Sequence, residues 1–143
     1  MTITELVVPG YYIKTGQKFR NRKPLEDLLE LCPNPGVILD CGAGAGYFAG
    51  ECGNVFPDAT IWSFEPTSKL FEELIRHNDN ATKSALSDFN GTADIFLTSA
   101  PKSNSLLGFL PGGPLVDHLS VIGTENVVVR RLDDWLENGL IDY

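Results

Sequence analysis

The feature that most restricts the fold of this chain is the stretch LDCGAGAGYF, residues 39–48, in which three glycines at alternate positions follow an aspartate. The run that leads into it, GVILD at 36–40, has the continuous apolar character of a strand buried on both faces, as in a parallel sheet. Gly42, Gly44 and Gly46 permit a sharp turn and leave the backbone amides accessible, because no Cβ blocks a close approach. The stretch therefore predicts a strand, a ligand-binding loop and a helix, with a flexible surface turn as the alternative.

The rest of the chain alternates predicted helices with predicted strands. Apolar residues at helical spacing predict the helices, and short apolar or β-branched runs predict the strands. We place these helices at 24–32, 46–56, 67–78 and 133–139, and these strands at 36–40, 59–65, 82–87, 92–98 and 125–132. The Asn90-Gly91 dipeptide predicts a tight hairpin, and 99–115 has the composition of a surface loop. This order predicts an α/β fold with a mostly parallel sheet and flanking helices.

Charge and hydropathy exclude two classes of partner. The formal net charge is −8 and the isoelectric point is near 4.6, so we expect no general attraction to nucleic acid. We interpret the basic cluster KFRNRK, at 18–23, as a solvated approach to the first helix. No run approaches the apolar length that spans a bilayer, and the first ten residues lack the pattern of a signal peptide. We therefore expect no membrane association and a cytoplasmic protein.

The cysteines and histidines indicate neither a disulfide framework nor a metal site. Cys32, Cys41 and Cys52 are odd in number and form no C-x-x-C pair. His77 and His118 are far apart in sequence, which does not match the spacing of zinc ligands. We therefore expect no bound metal, and we interpret Cys41 as a small residue packed beneath the glycine loop.

Tyr47 and Asp40 distinguish between two classes of nucleotide-like cofactor. The dinucleotide fingerprint G-x-G-x-x-G requires glycine where this chain has Tyr47. A carboxylate at Asp40 is unfavourable beside a pyrophosphate, but it suits a cation or a hydrogen-bond donor. S-adenosylmethionine carries a sulfonium and an ammonium and no phosphate, so it fits these features better than NAD does. The alternative for Asp40 is a hydrogen bond to the glycine turn alone.

Glu65 provides the second part of the cofactor prediction. It ends the second predicted strand, where an acid can accept hydrogen bonds from both hydroxyls of an adenosine ribose. Because ligands of open α/β sheets bind at the carboxyl ends of the strands, we expect Glu65 and the glycine loop to border one site. Pro66 helps to shape the turn that follows. The alternative for Glu65 is a favourable charge at the start of the helix at 67–78.

Four segments, in this order and spacing, resemble the FkbM family of S-adenosylmethionine-dependent methyltransferases: VILDCGAGAGYF, IWSFEPTSKLFEELIRHN, SALSDFNGTADIFL and VVVRRLDDWLENGLIDY. The resemblance covers about residues 36–143. It implies a Rossmann-like class I methyltransferase fold and methyl transfer to a hydroxyl of a small-molecule, sugar or polyketide-type acceptor. The cofactor-binding positions that it implies are Asp40, Gly42, Ala43, Gly44, Gly46, Tyr47, Phe48, Glu65, Pro66, Ser87 and Asp88.

Two of the implied positions, Ser87 and Asp88, lie where this family contacts the adenine base. Simple turn chemistry ahead of Asn90-Gly91 is the alternative for both. The segment SNSLL, at 103–107, resembles a serine-bearing part of the family that approaches the active-site side. Ser87, Asp88 and the segment 103–107 are therefore expected on the same side of the sheet as the glycine loop.

The end of the chain departs from the family pattern. In the family a strand with an acidic motif follows the LDDWL helix, whereas this chain ends with LIDY, where that strand would begin. We expect one domain, 1–143, that lacks the C-terminal strands and offers an open sheet edge to a second copy or a partner chain. His77, His118 and Asp133 are poor candidates for a catalytic base, so none is assigned. Two alternatives remain open: a non-catalytic cofactor-binding module or scaffold, and an NAD-dependent oxidoreductase domain.

Overall fold

The computed structural model describes residues 24–108 and 119–137 as four helices, six strands and one 3-10 turn. The helices are α1 Pro24–Leu31, α2 Tyr47–Val55, α3 Ser68–Leu74 and α4 Leu132–Glu137, and the 3-10 turn is Pro101–Ser103. The strands are β1 Val37–Cys41, β2 Thr60–Phe64, β3 Ala81–Thr82, β4 Ala85–Leu86, β5 Gly91–Thr98 and β6 Val121–Arg130. The predicted final strand at LIDY and His118 lie outside the described residues.

The strands form two small sheets that are joined by one short segment. The first sheet has the order β1-β2-β3, and both of its pairings are parallel. The second has the order β4-β6-β5, with β4 parallel and β5 antiparallel to β6. Residues 81–86 connect them, since their first half pairs with β2 and their second half with β6. The predicted α/β fold with a mostly parallel sheet is therefore confirmed for the described residues.

The predicted hairpin at Asn90-Gly91 is wrong. Strands β4 and β5 do not pair with each other, because β6 lies between them. The side chain of Asn90 accepts a hydrogen bond from the Arg131 amide (2.9 Å) and donates to Asp134, so it joins the start of β5 to the start of α4. Pairing along β6 also buries an apolar cluster, Ala85, Ile95, Val127 and Val129, between the three strands.

Two element boundaries also differ from the predicted ones. The third predicted helix, 67–78, ends at Leu74, because the side chain of Asn78 donates to the carbonyl of Ile61 (3.2 Å) and to Oγ of Ser63 (2.8 Å). These bonds hold the chain against β2 instead of letting the helix continue. The strand predicted at 125–132 begins at Val121, four residues before the expected start, because β5 is long enough to pair with it there.

Alternating residues of β1 face two different apolar clusters. Ile38 packs with α1 and α2, and the cluster on that side is Leu28, Ile38, Cys52 and Phe56. Leu39 packs on the other side with Phe64 and Trp135, and the Trp135 ring meets the Phe64 ring edge-on at 5.2 Å between centroids. The sheet is therefore covered on one side by α1 and α2 and on the other by α4, as expected for an α/β fold.

Strands β1 and β2 end side by side, and this arrangement places the site. Their register pairs Asp40 with Ser63 and Cys41 with Phe64. The amides of Gly42 and Ala43 then both donate to the carbonyl of Phe64, each at 2.9 Å. The glycine loop thus starts directly beside the residue that precedes Glu65. Among the helices of the described part, none is long and apolar enough to cross a membrane.

Candidate functional site

The loop between β1 and α2 requires glycine for its conformation. Gly42, Gly44 and Gly46 have φ of 79°, 57° and 87°, in the left-handed region that other residues adopt only with strain. A Cβ built on Gly46 would lie 2.9 Å from Cδ1 of Leu74, so this glycine also allows α3 to approach the loop closely. A Cβ on Gly42 or Gly44 would meet no described atom within 4 Å. Two glycines of the loop therefore border open space among the described residues, and the third contacts protein. The expectation of accessible amides is wrong for the three glycines, because the Gly42, Gly44 and Gly46 amides donate to Phe64, Glu65 and Ala43.

Glu65 connects the glycine loop to the start of α3. Its side chain is 5% exposed. Its Oε2 accepts a hydrogen bond from the Gly44 amide (3.0 Å), and its Oε1 accepts from the amide (2.9 Å) and the hydroxyl (2.6 Å) of Thr67. The structure therefore brings Glu65 and the glycine loop together, as expected from the strand ends. A carboxylate oxygen accepts about two hydrogen bonds, so Oε2 retains capacity for one further donor.

Asp40 is a buried carboxylate at the base of the loop. Its side chain is 2% exposed, and Oδ2 has no hydrogen-bond partner among residues 24–108 and 119–137. Burial, and secondarily the negative charge of Glu65, raise the pKa of Asp40 from 3.8 to about 6. Oδ2 makes none of the predicted hydrogen bonds to the glycine turn. A donor or a cation that reached this oxygen would satisfy it and lower the pKa.

The cysteine thiols near the loop lack the ionisation needed for a nucleophile. Burial, and secondarily the charge of Asp40, raise the pKa of Cys41 to about 11. The same two causes, with a smaller contribution from Glu51, raise the pKa of Cys52 to about 12. Both thiols are therefore protonated at neutral pH and act as small apolar groups. This agrees with the interpretation of Cys41 as a packing residue, since it contacts the cluster around Leu39.

The other residues predicted near the loop have different environments. Phe48 packs against the cluster on the α1 and α2 side, so its ring contributes to the core. Ala43 and Pro66 are buried at the ends of β1 and β2. Tyr47 is 74% exposed, and Nζ of Lys102 lies 5.8 Å from its ring centroid. Among these residues, Tyr47 is the one whose side chain stands at the surface beside the loop.

Ser87 and Asp88 follow β4 and make local contacts. The Ser87 amide donates to the carbonyl of Arg130 (3.0 Å), and the Ser87 hydroxyl donates to Oδ1 of Asp88 (3.2 Å). Within the described ranges, no hydrogen bond connects either residue to the glycine loop or to Glu65. Their hydrogen bonds are those of a turn, so the expected contact with an adenine base stays a prediction.

Sequence reasoning missed a second glutamate at the start of α3. Glu125 of β6 accepts hydrogen bonds from the Ser68 amide (2.9 and 3.2 Å) and from the Ser68 hydroxyl, which also accepts from Nζ of Lys83 (2.7 Å). Glu65 and Glu125 thus bind consecutive amides of one helix start. No local sequence pattern predicts the contact between Ser68 and Glu125, because the two residues are 57 positions apart.

A cavity of about 420 Å³ lies apart from the loop, between α2 and the segment after α3. Its lining includes Gly50 and Gly53 of α2 together with His77, Asn78 and Asn80. Neither Glu65 nor residues 42–46 line it. His77, one of the weak candidates for a catalytic base, therefore faces this cavity. In the part of the chain that the structure describes, no cluster of three His, Cys, Asp or Glu side chains could hold a metal ion.

Comparison with known proteins found no match, so the functional argument depends on the geometry of the site. No protein-family model, curated protein or solved structure matches this chain. The resemblance to the FkbM family therefore stays a prediction. What the structure itself provides is a bare glycine loop, two buried carboxylates beside it, and open space over two of its glycines.

Proposed function

We propose that this chain is an S-adenosylmethionine-binding domain of the class I methyltransferase type, which acts on a hydroxyl of a small-molecule, sugar or polyketide-type acceptor. The observation that carries the proposal is the contact between Oε2 of Glu65 and the Gly44 amide (3.0 Å). It places the acid expected to bind the ribose against the backbone expected to lie along the cofactor. Beside Gly42 and Gly44, no side chain of residues 24–108 or 119–137 would obstruct such a ligand.

The charges of the site favour S-adenosylmethionine over NAD. Asp40 and Glu65 are both buried, and Oδ2 of Asp40 has no described partner. A sulfonium and an ammonium interact favourably with such carboxylates, whereas a pyrophosphate adds two like charges in a poorly solvated site. Tyr47 at the position of the third fingerprint glycine further disfavours a dinucleotide.

Each site residue then has a stated role. Gly42, Gly44 and Gly46 shape the loop, and Gly42 and Gly44 border the space for the ligand. Oε2 of Glu65 accepts a hydrogen bond from one ribose hydroxyl, and the charge of Asp40 at the base of the loop attracts the cationic part of the ligand. S-adenosylmethionine supplies an electrophilic methyl group on its sulfonium. The protein contributes mainly by holding donor and acceptor in line, which accounts for a large share of catalysis in such reactions. We assign no residue to the removal of the acceptor proton.

Calorimetric titration tests the choice of cofactor. We expect S-adenosylmethionine and S-adenosylhomocysteine to bind, and NAD to release no heat. Binding of NAD alone would refute the proposal and favour an oxidoreductase domain. Measurement of methyl transfer by the chain alone, against a panel of hydroxylated acceptors, separates an active enzyme from a cofactor-binding module that needs a second copy or a partner chain.

A matched pair of variants separates ligand binding from helix capping. Glu65 and Glu125 both accept hydrogen bonds at the start of α3, but only Glu65 also contacts the glycine loop. We expect Glu65→Gln to weaken S-adenosylhomocysteine binding by about tenfold or more, because a charged hydrogen bond is worth roughly 1.5–3 kcal/mol. Glu125→Gln should weaken it by less than about twofold. Equal losses in the two variants would show that Glu65 acts only as a cap.

A further inference from the structure

The 3-10 turn after β5 brings a lysine to the edge of the candidate site. Nζ of Lys102 lies 5.8 Å from the ring centroid of Tyr47, within the range of a cation–π interaction. Tyr47 is the first residue of α2 and directly follows the glycine loop. Its ring is largely exposed, so the pair lies at the surface, next to the end of the loop. We call Tyr47 and Lys102 the rim of the site.

The turn that carries Lys102 is firmly attached to β5. The Ser103 amide donates to the carbonyl of Ala100 (2.8 Å), which closes the turn. Oδ1 of Asn104 accepts from the amide of the buried residue Thr98 (2.9 Å), which ties the end of the turn back to the strand. These bonds hold the backbone position from which the Lys102 side chain extends to Tyr47.

The rim differs in charge from the interior of the site. The inner part contains the buried carboxylates of Asp40 and Glu65, and the whole chain has a formal net charge of −8. A site with carboxylates inside and an ammonium at its edge can hold a cationic ligand within and an anionic group outside. An exposed aromatic ring beside the ammonium adds a flat apolar face for a ring-shaped ligand.

We propose that the rim binds an anionic group, a carboxylate or a phosphate, of the hydroxylated methyl acceptor. The inference rests on the proposed function and names the class of its acceptor: hydroxy compounds with a negative charge, in preference to their neutral analogues. Lys102 forms the charge-assisted hydrogen bond to the anion, and Tyr47 packs against the body of the acceptor.

Matched pairs of probes test this inference by calorimetry, with and without S-adenosylhomocysteine. The pairs are salicylate with salicylamide and glucuronate with glucose, in which one member carries a carboxylate and the other is neutral. In at least one pair we expect the anionic member to bind about threefold to fivefold more tightly, the range of an exposed ion pair. Lys102→Gln should abolish this preference without changing the affinity for the neutral member.

Arg130→Gln is the charge-matched control. Arg130 is exposed at the opposite end of β6 from Val121, the partner of Thr98, about 30 Å away along the strand. The preference should survive this change. A preference that Lys102→Gln leaves intact, or the absence of a preference in both pairs, would overturn the inference.

Two further outcomes show whether the anion belongs to the acceptor or to the cofactor, and whether the rim inference or the proposed function has failed. If Lys102→Gln weakens binding of S-adenosylhomocysteine but not of methylthioadenosine, which lacks the amino-acid end, the rim binds the carboxylate of the cofactor and the acceptor assignment falls. If the wild-type chain retains the Lys102-dependent anion preference but binds no S-adenosylhomocysteine, the proposed function fails while the rim remains an anion-binding site.

Discussion

Replacement of Asp40 by asparagine should make the unliganded protein more stable at neutral pH. The native-state pKa of Asp40 is raised from 3.8 to about 6, chiefly by burial and then by the charge of Glu65. A native pKa above the unfolded value means that the unfolded chain releases this proton first as the pH rises. Stability is therefore lost between about pH 4 and pH 6, and the loss is complete above that window. The shift corresponds to about 3 kcal/mol, at roughly 1.36 kcal/mol per pKa unit.

Asparagine keeps the size of the side chain but cannot ionise. In urea denaturation we expect the free energy of unfolding of Asp40→Asn to exceed that of the wild type by about 3 kcal/mol near pH 8. Near pH 5 the difference should be roughly half of that. Asp58→Asn, which removes an exposed carboxylate, is the control and should change stability by less than about 0.5 kcal/mol at either pH. A variant that is less stable than the wild type near pH 8, or a difference independent of pH, would refute the account of Asp40 as a carboxylate that burial destabilises in its charged form.

Three further predictions follow from the same contacts. In urea denaturation, Gly46→Ala should lower the free energy of unfolding by about 2 kcal/mol or more, because its Cβ would lie 2.9 Å from a side-chain carbon at a φ of 87°. Gly42→Ala is strained but has no described atom near its Cβ, so it should lower the free energy of unfolding by roughly 1 kcal/mol. Phe64→Ala should reduce the unfolding free energy by roughly 3–5 kcal/mol, and the same change at the exposed Phe89 by less than about 1 kcal/mol. The affinity for S-adenosylmethionine, measured by titration calorimetry, should rise as the pH passes through about 6, and this rise should be absent in Asp40→Asn.

The parts of the fold that the sequence predicts are those encoded by neighbouring residues. The strand before Gly42, the helix after Gly46 and the strand before Glu65 all appear within one or two residues of their expected bounds. Apolar periodicity and glycine placement act over a few residues, so they report these elements directly. The adjacency of the loop and Glu65 followed from one further rule, that parallel strands end at a common edge.

The parts that the sequence could not predict depend on residues that are distant along the chain. Asn90-Gly91 has the local signature of a hairpin, yet β6 pairs between β4 and β5, and the apolar cluster around Val129 is shared by all three strands. The contact of Ser68 with Glu125 likewise depends on how the second sheet meets α3. Such choices are made by tertiary packing, which overrides local turn preference.

The placement of the two buried carboxylates connects the fold to the proposed chemistry. Parallel pairing of β1 with β2 brings the ends of both strands to one edge, and each strand supplies an acid there, Asp40 and Glu65. Glu65 is satisfied by the Gly44 amide and by Thr67, whereas Oδ2 of Asp40 has no partner among the described residues. A buried carboxylate oxygen without a partner reduces stability, and under the proposed function the cationic part of S-adenosylmethionine would supply the missing positive charge. Binding of such a ligand would restore the stability that ionised Asp40 removes. The pH dependence of stability and the pH dependence of ligand affinity should therefore both report the ionisation of Asp40.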